Sequence, residues 1–178
     1  MPSRLSLGLI LTLTGSLIAA GQVEAQAPAT CQEEAEFRQF DFWVGQWDVF
    51  TFQGGDIAGS NVIEARHGGC VLVENWLSTS GGGGTSMNFY DRVTRRWRQL
   101  WVSTNYSIDI TGGLNQAGAM VLVGELHNYR PEQSFPFRGT WTPLPNGDVR
   151  QLFEQQDPET GAWDVWFDGR YVPMEDQR

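Results

Sequence analysis

The sequence contains no lysine, so its 12 basic residues are all arginines, and they are outnumbered by 21 acidic residues to give a net charge of −9. A chain this acidic repels phosphate backbones, so we expect no nucleic-acid partner. It also has no basic patch or basic helix that would dock on an anionic membrane surface. The charge balance thus argues against two large classes of partner.

Histidine is scarce, with only His67 and His127. Two separated histidines without a nearby cysteine pair make a poor zinc set, so we expect no metal site. His127 could in principle be the axial ligand of a haem, but a lone histidine is more often structural or exposed, and we expect no cofactor. GGGGTS at 81–86 has no lysine after its glycines and opens no helix, which predicts a hairpin connection rather than a phosphate loop. The chain also lacks a G-x-S-x-G elbow.

Long apolar runs are absent except near the N terminus, where residues 5–20 carry no charge. Arg4 before this run and the small-x-small pattern at 25–27 are typical of a secretory signal peptide. The run is shorter than the roughly 20 residues of a transmembrane helix, so an uncleaved anchor is the less favoured alternative. We predict a signal peptide over 1–27, one domain over 28–178, no membrane span after cleavage, and a periplasmic or secreted location.

Cysteine is limited to Cys31 and Cys70. In an oxidising compartment two cysteines most simply form one disulfide, which here would tie the N-terminal segment to the start of a strand. The alternative is a catalytic thiol, which needs a nearby base. No histidine adjoins either cysteine, but His67 lies three residues before Cys70 and keeps that alternative open.

Tryptophan and glycine are abundant, with eight and 21 residues, and all the tryptophans follow residue 27. Together with frequent turn residues, this composition indicates all-β structure. One short helix is predicted over 31–40, with Phe37 and Phe40 on one face. About ten strand-like runs follow, at 46–52, 60–67, 70–79, 85–91, 96–103, 107–114, 120–127, 135–143, 149–155 and 163–172.

The links between these runs are too short for crossover helices, so neighbouring strands must pair antiparallel. A meander of many twisted strands tends to curl, and closure removes its exposed edges. We therefore predict an antiparallel up-and-down β-barrel of about ten strands with a short N-terminal helix. A β-sandwich is the alternative.

Alternation along the strands suggests a lumen with mixed chemistry, because side chains of one parity share a face. Glu74 shares a face with Trp76, and Gln99 lies between Trp97 and Trp101. A barrel that encloses a ligand is commonly apolar with a few placed polar groups. The predicted ligand-binding residues are Glu74, Trp76, Asn88, Tyr90, Gln99, Trp101, Arg138 and Glu154, joined by Gln151 if a bulge shifts the register.

The alternative for this set is that its polar members face solvent or pair with one another, since a one-residue slip reverses the face of a strand. A glutamate and an arginine inside one lumen would be expected to pair. For residues 40–50, FDFWVGQWDVF, we expect Phe40, Phe42 and Trp43 to plug one end of the barrel and Trp47 to point inward.

The order of several motifs resembles one known family. These motifs are FDFWVGQWDVF, GGCVLVENW at 68–76, GTSMNFYD at 84–91, WRQLWV at 97–102, RGTWTPLPNGDVRQLFEQ at 138–155 and FDGRY at 167–171. Their order resembles the DUF1579-like, or lipocalin-like, family of bacterial exported proteins of unknown function, over nearly all of the chain after residue 27. The resemblance implies a calycin-type barrel with two cysteines, but no agreed reaction. Nitrobindin-like haem barrels are similar in shape, but their glycine-rich motif and C-terminal histidine have no match here.

Function is left with three hypotheses, and the oligomeric state is left open. The favoured one is an exported barrel that binds a small, partly apolar molecule, oriented by Glu74, Gln99 and Arg138. The second is an enzyme with Glu74 or Glu154 as acid–base and Tyr90 or Arg138 stabilising developing charge. The third is an envelope protein with a filled core. A cavity of roughly 300 Å³ or more distinguishes the first two from the third.

Overall fold

The computed structural model describes residues 30–174, which form a closed barrel of ten antiparallel strands. Each strand pairs with its neighbours in sequence, and the first strand pairs with the last. The strands are β1 (Gly45–Thr51), β2 (Ile57–Arg66), β3 (Val71–Ser78), β4 (Gly83–Asp91), β5 (Arg96–Ser103), β6 (Tyr106–Leu114), β7 (Met120–Tyr129), β8 (Glu132–Pro143), β9 (Val149–Gln156) and β10 (Trp163–Pro173). The predicted barrel is confirmed, and the sandwich is wrong. The predicted signal peptide over 1–27 lies outside the described residues.

The helical segment before β1 is built differently from the prediction. Instead of one helix over 31–40, it contains two 3₁₀ helices, Ala35–Arg38 and Asp41–Trp43. A 3₁₀ helix repeats every three residues, so side chains three apart share a face. Phe37, Phe40 and Trp43 have this spacing, and all three are buried. Packing against the barrel thus selects the tighter turn.

These aromatics close one end of the barrel, as predicted. Phe40 stacks on Trp43 with ring centroids 5.0 Å apart and meets Trp97 and Trp141 edge-on at 5.6 and 5.2 Å. Trp47 is buried, and its indole Nε1 donates a hydrogen bond to the Trp43 carbonyl oxygen over 3.0 Å. We call Phe40, Trp43, Trp97 and Trp141 the aromatic plug.

The plugged end is also where the predicted disulfide forms. Cys31 and Cys70 are bonded, with their Cα atoms 5.0 Å apart. The bond joins the segment before the first 3₁₀ helix to the connection between β2 and β3. Because both thiols are used, the catalytic-thiol alternative is wrong.

A bulge alters the alternation of β10. Its pairing with β9 shifts between Val165 and Phe167, which leaves Trp166 without a partner in the ladder. Successive residues of a regular strand face opposite sides of the sheet, but a bulge redirects a side chain. Trp166 and Phe167 consequently both reach the open end of the lumen.

Candidate ligand-binding cavity

A cavity of about 350 Å³ opens at the end of the barrel opposite the aromatic plug. The connections β3–β4 and β5–β6 form part of its rim, through Gly82 and residues 103–106. The segment that carries Phe40 and Trp43 of the plug is tied to the other set of connections, because Cys31 is bonded to Cys70 in the β2–β3 turn. The lumen is thus filled at one end and open at the other.

The wall of the cavity is a continuous series of aromatic rings from five strands. Trp101 stacks with Tyr106 at 6.5 Å, and Tyr106 meets Trp166 at 5.4 Å. Phe153 lies 6.3 Å from Trp166 and 6.5 Å from Phe167. Phe167 in turn lies 6.3 Å from Trp76. We call these residues the aromatic collar: Trp76, Trp101, Tyr106, Phe153, Trp166 and Phe167.

Inward-facing glycines make room for the large rings. A Cβ atom at Gly84 would overlap the Trp101 ring and the Val102 carbonyl oxygen. One at Gly59 would overlap the Leu77 carbonyl oxygen and lie 2.8 Å from the Trp76 ring, which is also too short for a normal contact. Gly59 and Gly84 therefore let these two indoles lie against the wall and leave the lumen between them open.

Glu74, Gln151 and Tyr171 form the floor of the cavity. Each lines the cavity and is at least 96% buried. Glu74 is held by neutral donors. The amide Nδ2 of Asn61 donates to its Oε1 over 2.7 Å, and the hydroxyl of Ser86 donates to its Oε2 over 2.6 Å. This buried carboxyl has no salt-bridge partner among the residues that the structure describes.

A polar network continues below the floor toward the plug. Asn88 donates from Nδ2 to the Ser86 hydroxyl over 2.8 Å, and Gln99 donates from Nε2 to Asn88 Oδ1 over 2.8 Å. The Nδ2 group of Asn61 also reaches the Tyr171 hydroxyl, at 3.2 Å. These groups are buried, and their mutual hydrogen bonds offset most of the cost of removing them from water.

Burial changes the protonation of the floor. Desolvation raises the pKa of Glu74 to about 7, against the hydrogen bonds from Ser86 and Asn61, which lower it. The pKa of Tyr171 is raised well above its ordinary value by burial and by the charge on Glu74. Glu74 therefore changes charge near neutral pH, whereas Tyr171 stays protonated.

Two polar atoms at the cavity have no hydrogen-bond partner within residues 30–174. They are the indole Nε1 of Trp101, a donor, and Oε1 of Gln151, an acceptor. Both side chains line the cavity and are more than 90% buried. An unpaired buried polar group is costly. The plug and the polar network contain four more such atoms, Trp43 Nε1, Trp141 Nε1, Asn61 Oδ1 and Gln99 Oε1, so unpaired atoms are not confined to the cavity.

The structure places six of the eight predicted ligand-binding residues on the inside of the barrel. Glu74, Trp76 and Trp101 line the cavity. Asn88 and Gln99 lie deeper, in the polar network. Tyr90 lies at the plugged end, where it packs against Phe37 at 5.4 Å and Trp97 at 6.4 Å. Gln151 faces inward by the ordinary alternation of β9, whose pairing with β8 is regular.

Arg138 and Glu154 are the two exceptions, and their expected position in the lumen is wrong. They face each other across β8 and β9 on the outer surface, where Arg138 Nε donates to Glu154 Oε2 over 2.8 Å. Their neighbours Phe137 and Phe153 are buried instead. Burial of these aromatic rings outweighs burial of an ion pair, because a charged pair costs several kcal/mol of hydration per ion.

Sequence reasoning missed Asn61 and Tyr171, which complete the surroundings of Glu74. Asn61 shares its inward parity with Ile63, and Tyr171 shares its parity with Gly169 and Phe167. A strand face that combines apolar or aromatic residues with one polar residue was the signal used for β3 and β5. The same signal could have identified Asn61 and Tyr171. Trp166 could not have been identified, because only the bulge in β10 turns it toward the cavity.

The two histidines lie away from the cavity. His67 is in the β2–β3 turn with a φ of 51°, and His127 hydrogen-bonds through Nδ1 to Ser134 at the surface. Within residues 30–174, no three His, Cys, Asp or Glu side chains are grouped so that they could hold a metal ion. No helix in the same range is long and apolar enough to cross a membrane.

Neither a model of a known protein family nor a curated protein matches the chain. The resemblance of its motifs to the DUF1579-like family therefore stays a prediction. The feature from which function can be inferred is the cavity itself.

Proposed function

We propose that the protein binds a small, partly apolar molecule in the cavity. The aromatic collar packs against the apolar part of the ligand, while Glu74, Gln151 and Tyr171 contact its polar part. The observation that carries this proposal is a cavity of about 350 Å³ with aromatic walls that ends on a buried carboxyl. Small-molecule sites typically have volumes of roughly 300–1,000 Å³, apolar walls and a few placed polar groups.

The same observation favours binding over the filled-core hypothesis. A barrel that serves only as a stable unit would be expected to fill its lumen with side chains. Here side chains fill the lumen at the plug and in the polar network below the floor. Opposite the plug, a cavity of about 350 Å³ is left open above Glu74, Gln151 and Tyr171.

Export is part of this proposal. The Cys31–Cys70 disulfide is of the kind that persists in an oxidising compartment. It supports a periplasmic or secreted binding protein, in agreement with the leader predicted over 1–27. The proposed class is a lipocalin-like carrier or receptor of a small molecule, as the resemblance to the DUF1579-like family also suggests.

An enzyme that uses Glu74 as an acid–base is the second candidate. It is favoured by a pKa of about 7, which suits proton transfer near neutral pH. It is weakened by the outward position of Glu154, because no second carboxyl lies among the described lining residues. Any turnover should be lost in Glu74→Gln and should follow the ionisation of one group near pH 7.

Native mass spectrometry of protein purified gently from an exporting host tests the binding proposal. Extra mass that is lost on denaturation is expected from wild type. It should be absent from Ala58→Trp, which places an indole in the cavity that Ala58 lines. Ser60→Trp is the matched control, because Ser60 is on the same strand but pairs with the exposed Leu77.

Retention of the extra mass by Ala58→Trp would show that the molecule binds elsewhere. A bare mass for wild type, with no binding to a panel of lipids and aromatic compounds, would contradict the proposal and favour a structural role.

A further inference from the structure

The cavity combines seven aromatic side chains with a single carboxyl, and the described residues that line it include no arginine or histidine. We propose that the ligand is a compact organic cation: an ammonium or quaternary ammonium group on an apolar or aromatic body. Its charged group lies beside Glu74, and its body lies against the collar. This inference rests on the proposed binding function and specifies the chemical class of the ligand.

The first argument is the missing counter-charge of Glu74. Its carboxyl is 3% exposed and is held only by the neutral groups of Asn61 and Ser86. The titratable groups whose charge couples to it from other strands are the hydroxyls of Tyr171 in β10 and Tyr106 in β6, neither of which is cationic. An ionised buried carboxylate without a positive partner is unfavourable, so a bound cation would supply what the barrel lacks.

Three arginines of the barrel wall cannot fill this role, because they are paired at the surface. Arg98 binds Asp109, Arg138 binds Glu154 and Arg150 binds Asp168, each with nitrogen–oxygen distances between 2.6 and 2.8 Å. Each pair joins outward-facing residues of adjacent strands. These three positive charges are thus neutralised outside the barrel, and no arginine is among the described residues that line the cavity beside Glu74.

The second argument is the collar. The face of an aromatic ring carries partial negative charge and attracts cations, most strongly for tryptophan. Three of the six collar rings are indoles, and the centroids of neighbouring rings lie 5.4–6.5 Å apart. An anionic ligand would meet these faces and the Glu74 carboxyl together. The net charge of −9 further attracts cations to the open end.

The protonation of Glu74 gives the inference a pH signature. Burial raises its pKa to about 7, so the carboxyl is partly protonated at neutral pH. A bound cation stabilises the ionised form and therefore releases a proton. The affinity for a permanent cation should rise roughly 10-fold or more between about pH 5.5 and about pH 8. The affinity for a neutral molecule of the same shape should show no such rise with pH.

Isothermal titration calorimetry with three probes tests this inference. Trimethyl(2-phenylethyl)ammonium, 2-phenylethanol and 3-phenylpropanoate share a phenylethyl body but are cationic, neutral and anionic. The cation is expected to bind wild type roughly 10-fold or more tightly than the alcohol, and the anion most weakly. At neutral pH, titrations in two buffers of different ionisation enthalpy should show proton release for the cation alone.

Two isosteric variants locate the effect. Glu74→Gln should lose most of the preference for the cation, together with the proton release. Glu125→Gln removes the same charge from the outer surface, where the side chain is 61% exposed. This control should keep both the preference for the cation and the proton release. If Glu74→Gln does not fold, proton release on binding of the cation to wild type still tests the inference, because that measurement requires no variant.

Equal affinity for cation and alcohol, a preference for the anion, or a pH-independent cation affinity would overturn the inference. If the alcohol binds equally well and Ala58→Trp blocks it, the binding function stands without the cation preference. If no probe binds wild type, the cation class is wrong. Whether the cavity binds anything is then decided separately by the molecule that co-purifies with the protein.

Discussion

Asn61 and Glu74 meet inside the barrel, where Asn61 Nδ2 donates to Glu74 Oε1 over 2.7 Å. The same amide reaches the Tyr171 hydroxyl at 3.2 Å, so one side chain of β2 connects β3 with β10. Since β1 lies between β2 and β10 in the sheet, the contact spans the site where the barrel closes. The hydrogen bonds of Asn61 that support the cavity floor therefore depend on closure of the barrel.

The stability of the protein should fall as the pH rises from about 4.5 to about 7, through Glu74. The pKa of this carboxyl is raised to about 7 in the folded chain from an ordinary value of 4.5. Between these two pH values Glu74 is ionised in the unfolded chain but protonated in the folded chain. The folded chain then binds more protons, and the loss approaches about 3 kcal/mol above pH 7. Urea unfolding across this range should show a flatter profile for Glu74→Gln. Equal slopes for both proteins would contradict the raised pKa.

Asn61→Ala should destabilise the protein by roughly 1–3 kcal/mol, because it leaves Glu74 with a single side-chain donor. The pKa of Glu74 should rise further, since the lost hydrogen bond favours the ionised form. Carbon-13 NMR of the glutamate carboxyls measures this pKa directly. Asn75→Ala is the control, because Asn75 makes its hydrogen bond with Thr85 on the exposed face. An unchanged pKa in Asn61→Ala would argue that Ser86 alone holds the carboxyl.

Removal of the disulfide by Cys31→Ser with Cys70→Ser should cost roughly 2–4 kcal/mol, because the bond closes a loop between residues 39 apart in sequence. The first effect should be at the plugged end, where the bond holds the 3₁₀ segment. Urea unfolding with and without reductant measures the loss. The wild type should be sensitive to reductant and the variant insensitive. A wild type that keeps its stability on reduction would show that the plug is held by packing alone.

Gly84→Ala should cost roughly 1–3 kcal/mol, since its Cβ atom would overlap the Trp101 ring and the Val102 carbonyl oxygen and force the ring toward the cavity. Gly113→Ala is the matched control, because a Cβ atom there meets nothing within 4 Å. Near-ultraviolet circular dichroism reports the movement of the indole, and thermal unfolding reports the stability. Equal effects of the two substitutions would show that backbone propensity rather than the ring contact determines the cost.

Arg138→Ala should reduce stability by no more than about 2 kcal/mol in total, because its pair with Glu154 is partly solvated at the surface and contributes about 1 kcal/mol or less. Its stacking on the Trp163 ring at 4.6 Å adds a contribution of similar size. The molecule bound in the cavity should be retained. Urea unfolding and native mass spectrometry of the variant measure the two quantities. Loss of the bound molecule would indicate that Arg138 acts on the cavity through β8.

The architecture was largely predictable, because turn residues divide the chain after residue 40 into runs that match all ten strands. Connections this short permit only antiparallel neighbours, and that many strands close on themselves. The helical segment was less predictable. Helix-forming residues over 31–40 favoured one helix, but burial of Phe37, Phe40 and Trp43 at intervals of three produced two 3₁₀ helices.

The site was predictable only where one face of a strand was clearly distinct. Glu74 and Trp76 were placed correctly. They share one face of β3, and that face holds the only ionisable side chain of the strand. Arg138 and Glu154 were placed on the wrong face, because alternation shows which residues share a face but not which face is inside. The two charges of an ion pair neutralise each other, so a pair of this kind in the sequence does not show which face of the strands lies inside the barrel.

The sequence by itself determined the strands, their antiparallel order and the aromatic content of the lumen, and it favoured a disulfide between the two cysteines. These follow from local turn chemistry, short connections and the compartment that a leader predicts. Only the tertiary structure decided which atoms meet across the barrel. It buried Glu74 beside Asn61 and Ser86 without a counter-charge, and it turned Trp166 inward at a bulge. Such contacts depend on register and closure, which join residues as far apart as Asn61 and Tyr171 and leave no local trace in the chain.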